Sequence, residues 1–344
     1  MITTSLPSPF QYHRGTYQER RLTSNLPGRT EFQATLLQVP WGAVQIGETV
    51  WIAQTGSATV GAYFVNGLPR EIGFSLIAPD GSASQPTGIA YNQTPGFVIE
   101  LGPLQQPAAL LVASLSGQLY GCNAQLDPFA AIVLMDYSEL GAILTGLCLA
   151  DDGKLHLVDF ANGVVITLGP DLEPVQSMSM MFLDQDALDP IPDTFHPYNV
   201  TQIRDMLYVC YAELQPRPGG FAQFGFGKGY VSVFDREGQF VRRFASGDLL
   251  NAPWGIAPCP LGWPYPPGSI LVGCAGSGLI IVYDLGGACL GPLPEPSLHG
   301  LQLGELRQLI AVENQPDVLL WTGSRNLLRQ GLFGGVVPSG SLLL

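Results

Sequence analysis

The chain has 344 residues, with 15 Lys plus Arg against 28 Asp plus Glu, for a net charge of −13. Bases this sparse give no clustered basic face to neutralise phosphates, so no nucleic-acid partner is expected. Only 12% of residues are charged, while 42 Gly and 29 Pro argue against long helices.

In chain order, residues 1–19 read as an N-terminal arm. Their start, Met1-Ile-Thr-Thr-Ser, lacks the basic opening and apolar stretch of a signal peptide. No run approaches the ~20 apolar residues of a membrane span. Residues 20–26 form a spare strand that could start as early as Tyr17. Arg14, Arg20, Arg21 and Arg29 nearby read as a solvated strand edge.

From residue 40 one unit recurs: a turn-and-Gly anchor, an apolar strand, a Gly or Asn turn, and a second apolar strand. The anchors are Pro-Trp-Gly-Ala at 40–43, Thr-Gly-Ile-Ala at 87–90, Thr-Gly-Leu-Cys at 145–148, Tyr-Asn-Val-Thr at 198–201, Pro-Trp-Gly-Ile at 253–256 and His-Gly-Leu-Gln at 299–302. A period of about 40–50 residues marks propeller blades, which bury their faces only against their neighbours. The expected fold is therefore all-β, a six-bladed β-propeller over 20–338 with a short tail at 339–344. Outer strands are expected at 71–77, 132–136, 175–182 and 239–245. The last repeat runs out near Phe333. The spare strand at 20–26 would pair beside 327–333 and close the ring, since an open ring leaves an edge free to pair with another chain.

Trp41 and Trp254 stand at matching positions and are expected to be buried wedges between adjacent blades. Six cysteines, at 122, 148, 210, 259, 274 and 289, show no C-x-x-C pattern and read mainly as buried free thiols.

Several motifs carry possible chemistry. Asp184, Asp186, Asp189, Asp193 and His196 lie on one loop. Carboxylates two apart could hold Ca²⁺, but the spacing fits no EF-hand and Pro190 and Pro192 stiffen the loop, so a solvated acidic loop is the plainer reading. Asn199 stands where other repeats have Gly. It could bind a ligand at the channel mouth, or simply tolerate a left-handed backbone. Asp151 and Asp205 are the next channel candidates. The stretch 219–229 looks phosphate-friendly but fails as a P-loop, because Gly229 follows Lys228 where Ser or Thr should stand. It reads as a long inserted loop. Its Phe221, Phe224 and Phe226 either contact a partner or fold back on their own blade. Histidine and serine spacings match no metalloenzyme or hydrolase frame.

Asn25-Leu-Pro-Gly28, Pro40-Trp-Gly42, Pro86-Thr-Gly-Ile89, Pro197-Tyr-Asn-Val200, Gly229-Tyr-Val-Ser-Val-Phe-Asp235 and Gly331-Leu-Phe-Gly334 occur in this order, with the most specific stretch at 242–256. Together they resemble an uncharacterised, mainly bacterial family of NHL-like six-bladed propellers, some with exosortase (PEP-CTERM) sorting tails. The resemblance implies the fold and often export, hence an extracellular location, but no activity. This chain shows neither signal peptide nor sorting tail. Two functions follow. One is a non-catalytic interaction scaffold that associates with a protein partner or itself. The alternative is a metal-dependent hydrolase or lactonase of the related SMP30-like type, needing three or four acids or Asn converging on the channel.

Overall fold

The computed structural model describes residues 15–175, 182–186, 188–216, 221–294, 301–325 and 330–341. It is a six-bladed β-propeller. The first blade runs outward from the axis as β3 (Pro40–Ile46), β4 (Thr49–Gln54), β5 (Thr59–Phe64) and β6 (Pro69–Ser75). The inner strands of the other five are β7 (Pro86–Tyr91), β13 (Leu144–Leu149), β16 (Phe195–Ile203), β20 (Pro253–Pro258) and β24 (Glu305–Ala311). Each inner strand touches the next, and β24 returns to β3, so the ring closes.

The closing strand is β1 (Tyr17–Ser24). It lies antiparallel on β26 (Gln330–Pro338), with Tyr17 opposite Pro338 and Ser24 opposite Leu332. The expected partner stretch 327–333 is thus shifted outward, and its residues 327–329 lie outside the described residues. The strand takes in Tyr17–Glu19, so the arm is shorter than 1–19; residues 1–14 also lie outside the description. The ring extends past Pro338, where Ser339 N–H donates to the Thr16 carbonyl at 2.7 Å.

Of the outer strands, that at 132–136 is present as Ile132–Asp136 and that at 239–245 as Phe240–Ser246. The first blade's is Pro69–Ser75. The third blade's expected outer strand at 175–182 falls mostly outside the described residues. One element went unread in the sequence: a hairpin, Val98–Leu101 with Leu104–Pro107, inserted after the inner strand of blade two. Its turn signal, Gly102 at φ 60°, is legible in hindsight.

The repeated glycines have a steric cause. A Cβ on Gly42 would stand 2.6 Å from the Thr87 carbonyl oxygen, and one on Gly88 2.6 Å from the Leu147 nitrogen. Inner strands crowd at the axis, and at these positions a residue without a side chain lets them approach.

Burial follows the blades. Six hydrophobic clusters each join two successive blades, for example Tyr208, Phe244 and Tyr283 between blades four and five. A seventh lies on the axis around Trp41, Phe160, Tyr198 and Trp254. The six cysteines are free. Five are buried or half-buried and Cys289 is exposed. Among the described residues no helix is long and apolar enough to cross a membrane.

One buried polar group sets an acid limit on stability. His156 is fully enclosed, with Nδ1 3.0 Å from the Thr167 hydroxyl and no described partner for Nε2. Burial pushes its pKa down to about 4. The unfolded chain takes up this proton first, near pH 6.5. The contribution is therefore complete at neutral pH and is lost as pH falls from ~6.5 toward 4. Between pH 7.5 and 5 the wild type is expected to lose ~2 kcal/mol from this group. His156→Gln should remove that slope. Urea midpoints at the two pH values check it, and an unchanged slope in the variant would show that another group titrates.

Candidate functional site

The inner strands of blades one and five begin alike. Val39 and Ala252 both take φ 48°, a left-handed conformation that is costly for a β-branched residue. Pro40 and Pro253 follow, and the pairing register slips at the next residues, from Pro40 to Ala43 and from Pro253 to Gly255. Such a bulge re-aims a side chain. Here it turns both indoles onto the axis.

Trp41 and Trp254 are therefore not wedges between adjacent blades, as expected from sequence. Their rings meet edge to face on the axis at 6.0 Å. Trp254 Nε1–H donates across the channel to the Thr145 carbonyl of blade three at 3.2 Å. Both are buried, as expected. With Phe160 and Tyr198 they plug the channel.

Neighbouring blades are stapled beside this plug by side chains bonding inner-strand carbonyls. Thr55 donates to Pro86, Thr87 to Leu144 and Thr145 to Tyr198, at 2.6, 2.7 and 2.8 Å. Thr322 does the same to Trp41. Asn199 belongs to this set: its Nδ2 donates to the Trp254 carbonyl at 2.8 Å. Its backbone is not left-handed. Gly146 leaves the room that its side chain occupies. Asn199 also lines a 330 Å³ hollow at the mouth formed by the turns after the inner strands.

The opposite mouth holds a larger cavity of 760 Å³. Trp41, Tyr198 and Thr145 form its floor, Glu305 and Arg307 part of its wall, and Phe221 and Phe224 its rim. The rim is a hairpin. Gln223 N–H donates to the Glu213 carbonyl at 2.7 Å and Gln215 N–H to the Phe221 carbonyl at 2.9 Å, so the strands of blade four continue outward past the turn. Asn251 anchors it by accepting from Gly225 N–H at 2.7 Å. The expected loop 219–229 thus folds back over the channel, with Ala222 buried in the axial cluster; residues 219–220 lie outside the description. Phe226 is 63% exposed and stands off the cavity lining.

Arg307 is the residue that sequence reasoning missed. The sixth anchor, expected at 299–302, is displaced. Leu306 pairs with Gly323 and Leu309 with Trp321 across the same register slip, so Arg307 stands where blades one and five have Trp. Its side chain is 7% exposed. The guanidinium lies 4.5 Å from the centre of the Trp41 ring, a cation–π contact. Its one charged neighbour among the described residues, Glu305, is 3.9 Å away, too far for a direct hydrogen bond. Nη1 has no described hydrogen-bond partner. An Arg in the strand-like stretch Leu306–Ile310, beside apolar Leu306, Leu309 and Ile310, was the available signal.

The acidic candidates lie elsewhere. Asp151 and Asp205 sit on turns at the far face, where Arg236 donates to both at 3.0 and 2.6 Å. They are 57% and 80% exposed and tie blade three to blade four. Asp184 is buried under a bidentate pair with Arg243 at 2.9 Å, with Ser232 also donating to it. Burial alone would raise its pKa; Arg243 and Ser232 outweigh burial and hold the carboxyl below the usual range. Asp186 accepts from Leu188 N–H at 3.0 Å in its own loop. His196 is turned to the Phe160 carbonyl at 2.7 Å. These three do not converge, because each already has a partner of its own. Among the described residues no three His, Cys, Asp or Glu side chains gather as a metal site would require.

The architecture is that of a six-bladed propeller whose channel is plugged at its centre, with a small hollow at one mouth and a larger, partly aromatic cavity at the other. The chain belongs to the family of uncharacterized protein R648 of Acanthamoeba polyphaga mimivirus, to which it is 33% identical over 337 residues, covering 96% of this chain and 83% of that one. Protein L690 of the same virus is 30% identical over 87% of this chain and 79% of its own length. These relatives are viral, whereas the sequence resemblance pointed to bacteria. No family model matches the chain. Among solved structures it is similar to a catalytically inactive virginiamycin B lyase from Staphylococcus aureus, with TM-score 0.54, 10% identity and coverage of 94% and 99% of the two chains. It is also similar to a calcium-binding regucalcin from Agrobacterium tumefaciens, with TM-score 0.54, 12% identity and coverage of 88% and 90%. At such identities the likeness is one of fold.

Proposed function

We propose that this chain is a non-catalytic binding propeller that seats its ligand in the mouth beneath the Phe221–Phe224 hairpin. The observation that carries this reading is the 760 Å³ cavity, whose lining sets Trp41, Tyr198, Phe221 and Phe224 among polar side chains such as Thr145, Gln215, Glu305 and Arg307, the mix of apolar surface and placed polar groups that a small-ligand site uses. The exposed Phe226 extends the rim and suits a protein partner or a second copy. The hydrolase reading draws on no comparable feature. It needs several carboxylates at the mouth, and Glu305 is the one acidic side chain among the described lining residues.

The uncharged dye N-phenyl-1-naphthylamine tests the mouth. The wild type is expected to bind it saturably, and Phe221→Ser with Phe224→Ser to weaken it at least tenfold while the melting temperature moves by only a few degrees. Unchanged dye binding in that variant would sink the proposal. Adding Phe226→Ser should also weaken any self-association seen in sedimentation. Calcium-dependent lactone hydrolysis abolished by Glu305→Gln would instead support the alternative.

A further inference from the structure

The mouth holds one feature that an apolar ligand does not use. Arg307 is buried, stacked on Trp41 and bonded to nothing at Nη1 among the described residues. A buried guanidinium left short of acceptors is costly, and native structures seldom keep one without a role. Its one charged neighbour among the described residues does not resolve this. Glu305 stands 3.9 Å away and shares its carboxylate with the Ser324 hydroxyl at 3.2 Å. Elsewhere in this chain a buried arginine is fully engaged: Arg243 makes a bidentate pair with Asp184 and further bonds to Asp189 and Ser246. Arg307 is built differently, and it lines the cavity.

Resting on the mouth being the binding site, we propose that Arg307 receives an oxyanion, such as a carboxylate, carried by a ligand with an apolar or aromatic body. The body packs on Trp41, Tyr198, Phe221 and Phe224, and the anion meets the guanidinium at the wall. Three properties of the wall favour this pairing. A guanidinium offers a planar fork that matches two oxygens of one anionic group. The Trp41 face beneath it holds the guanidinium plane in place, so little side-chain entropy is lost on binding. Low local exposure strengthens the charge pairing relative to water. Glu305 sets the selectivity in the other direction. It repels an anion that approaches its side of the wall, so only a ligand that reaches Arg307 past it gains the contact. The same anionic chemistry could come from a free small acid or from the C-terminal carboxylate of a peptide.

Two dyes of similar shape separate charge from apolar fit: anionic 1-anilinonaphthalene-8-sulfonate and neutral N-phenyl-1-naphthylamine. Arg307→Met keeps the side-chain length and removes the charge. It is expected to weaken the anionic dye at least tenfold and the neutral dye less than twofold. Glu305→Gln should do the opposite and tighten the anionic dye severalfold, which guards against an Arg307→Met protein that does not fold. If both dyes respond equally to Arg307→Met, or if Glu305→Gln weakens the anionic dye, the anion site is wrong and the reading of the mouth as a binding site is untouched. If the Phe221→Ser, Phe224→Ser protein binds the neutral dye as the wild type does, the mouth itself is wrong. Displacement of the anionic dye then identifies the source. Stronger displacement by 3-phenylpropionate than by its amide, with no further gain from N-acetyl-Leu-Leu-Phe, indicates a free acid. A gain of tenfold or more for that peptide over its C-terminal amide indicates a chain terminus. Failure of both acids to outcompete their amides overturns the proposal.

Discussion

Removal of residues 1–27 is expected to abolish cooperative folding of the ring, or to lower its melting temperature by more than ten degrees. The strand Tyr17–Ser24 is the fourth strand of blade six and the only covalent route by which the ring closes on itself. It buries Tyr17, Leu22, Thr23 and Ser24, and Tyr17 packs on Trp263 with ring centres 4.4 Å apart. Thr23 also donates to the Gly67 carbonyl in blade one, so the strand ties the last blade to the first. Fully burying one large apolar side chain is worth ~1.5–3 kcal/mol, and whole domains hold only ~5–15 kcal/mol. Loss of two such side chains, seven paired residues and the clasp to blade one is thus comparable with the total. The deletion also bares Gln330–Pro338 as an edge, so soluble oligomers are expected alongside the loss of the transition. Calorimetry and size-exclusion chromatography check both effects. A truncated chain that melts as a monomer at the wild-type temperature would show that closure is dispensable.

Trp254→Ala is the second large effect, expected to cost ~3–5 kcal/mol as other large aromatic truncations do. Two terms add. The indole fills the axis in one cluster with Trp41 and Ala275, and a close-packed interior relaxes only in part around a lost ring. Its N–H also leaves the Thr145 carbonyl, and that carbonyl sits in the interior. Trp41→Ala should cost less, because Trp41 is the more exposed of the two, 6% against 1%, and borders the larger cavity, 760 Å³ against the 330 Å³ hollow beside Trp254, so the space it leaves takes water more readily. It should also loosen the mouth, since Arg307 loses the ring beneath it. Equal losses for the two variants, measured by urea denaturation, would mean that the axis is not plugged as described.

Much of the blade structure was legible in the chain because the relevant signals are local. Alternating apolar runs and Gly or Asn turns are written in consecutive residues, and each blade repeats them. The glycines at 42, 88, 146 and 255 recur because those four inner strands meet the same crowding at the axis. Even the closing strand could be read, since a repeat one strand short implies a strand supplied from elsewhere. The site was less legible. Asp151, Asp205, Asp184 and His196 looked free in the sequence, because the arginines and carbonyls that occupy them lie up to 85 residues away. Asn199 looked like a left-handed residue but is a staple between blades, a role set by the next inner strand 55 residues on.

The period, the strand type and the number of blades follow from consecutive residues, since they depend on spacing and turn chemistry. What stands on the axis does not. There six inner strands from distant parts of the chain meet, and a one-residue slip in each sets which side chain points inward. That slip put tryptophan on the axis in blades one and five and arginine in blade six. A buried charge facing an aromatic cavity is a property of that meeting point, and no single repeat contains it.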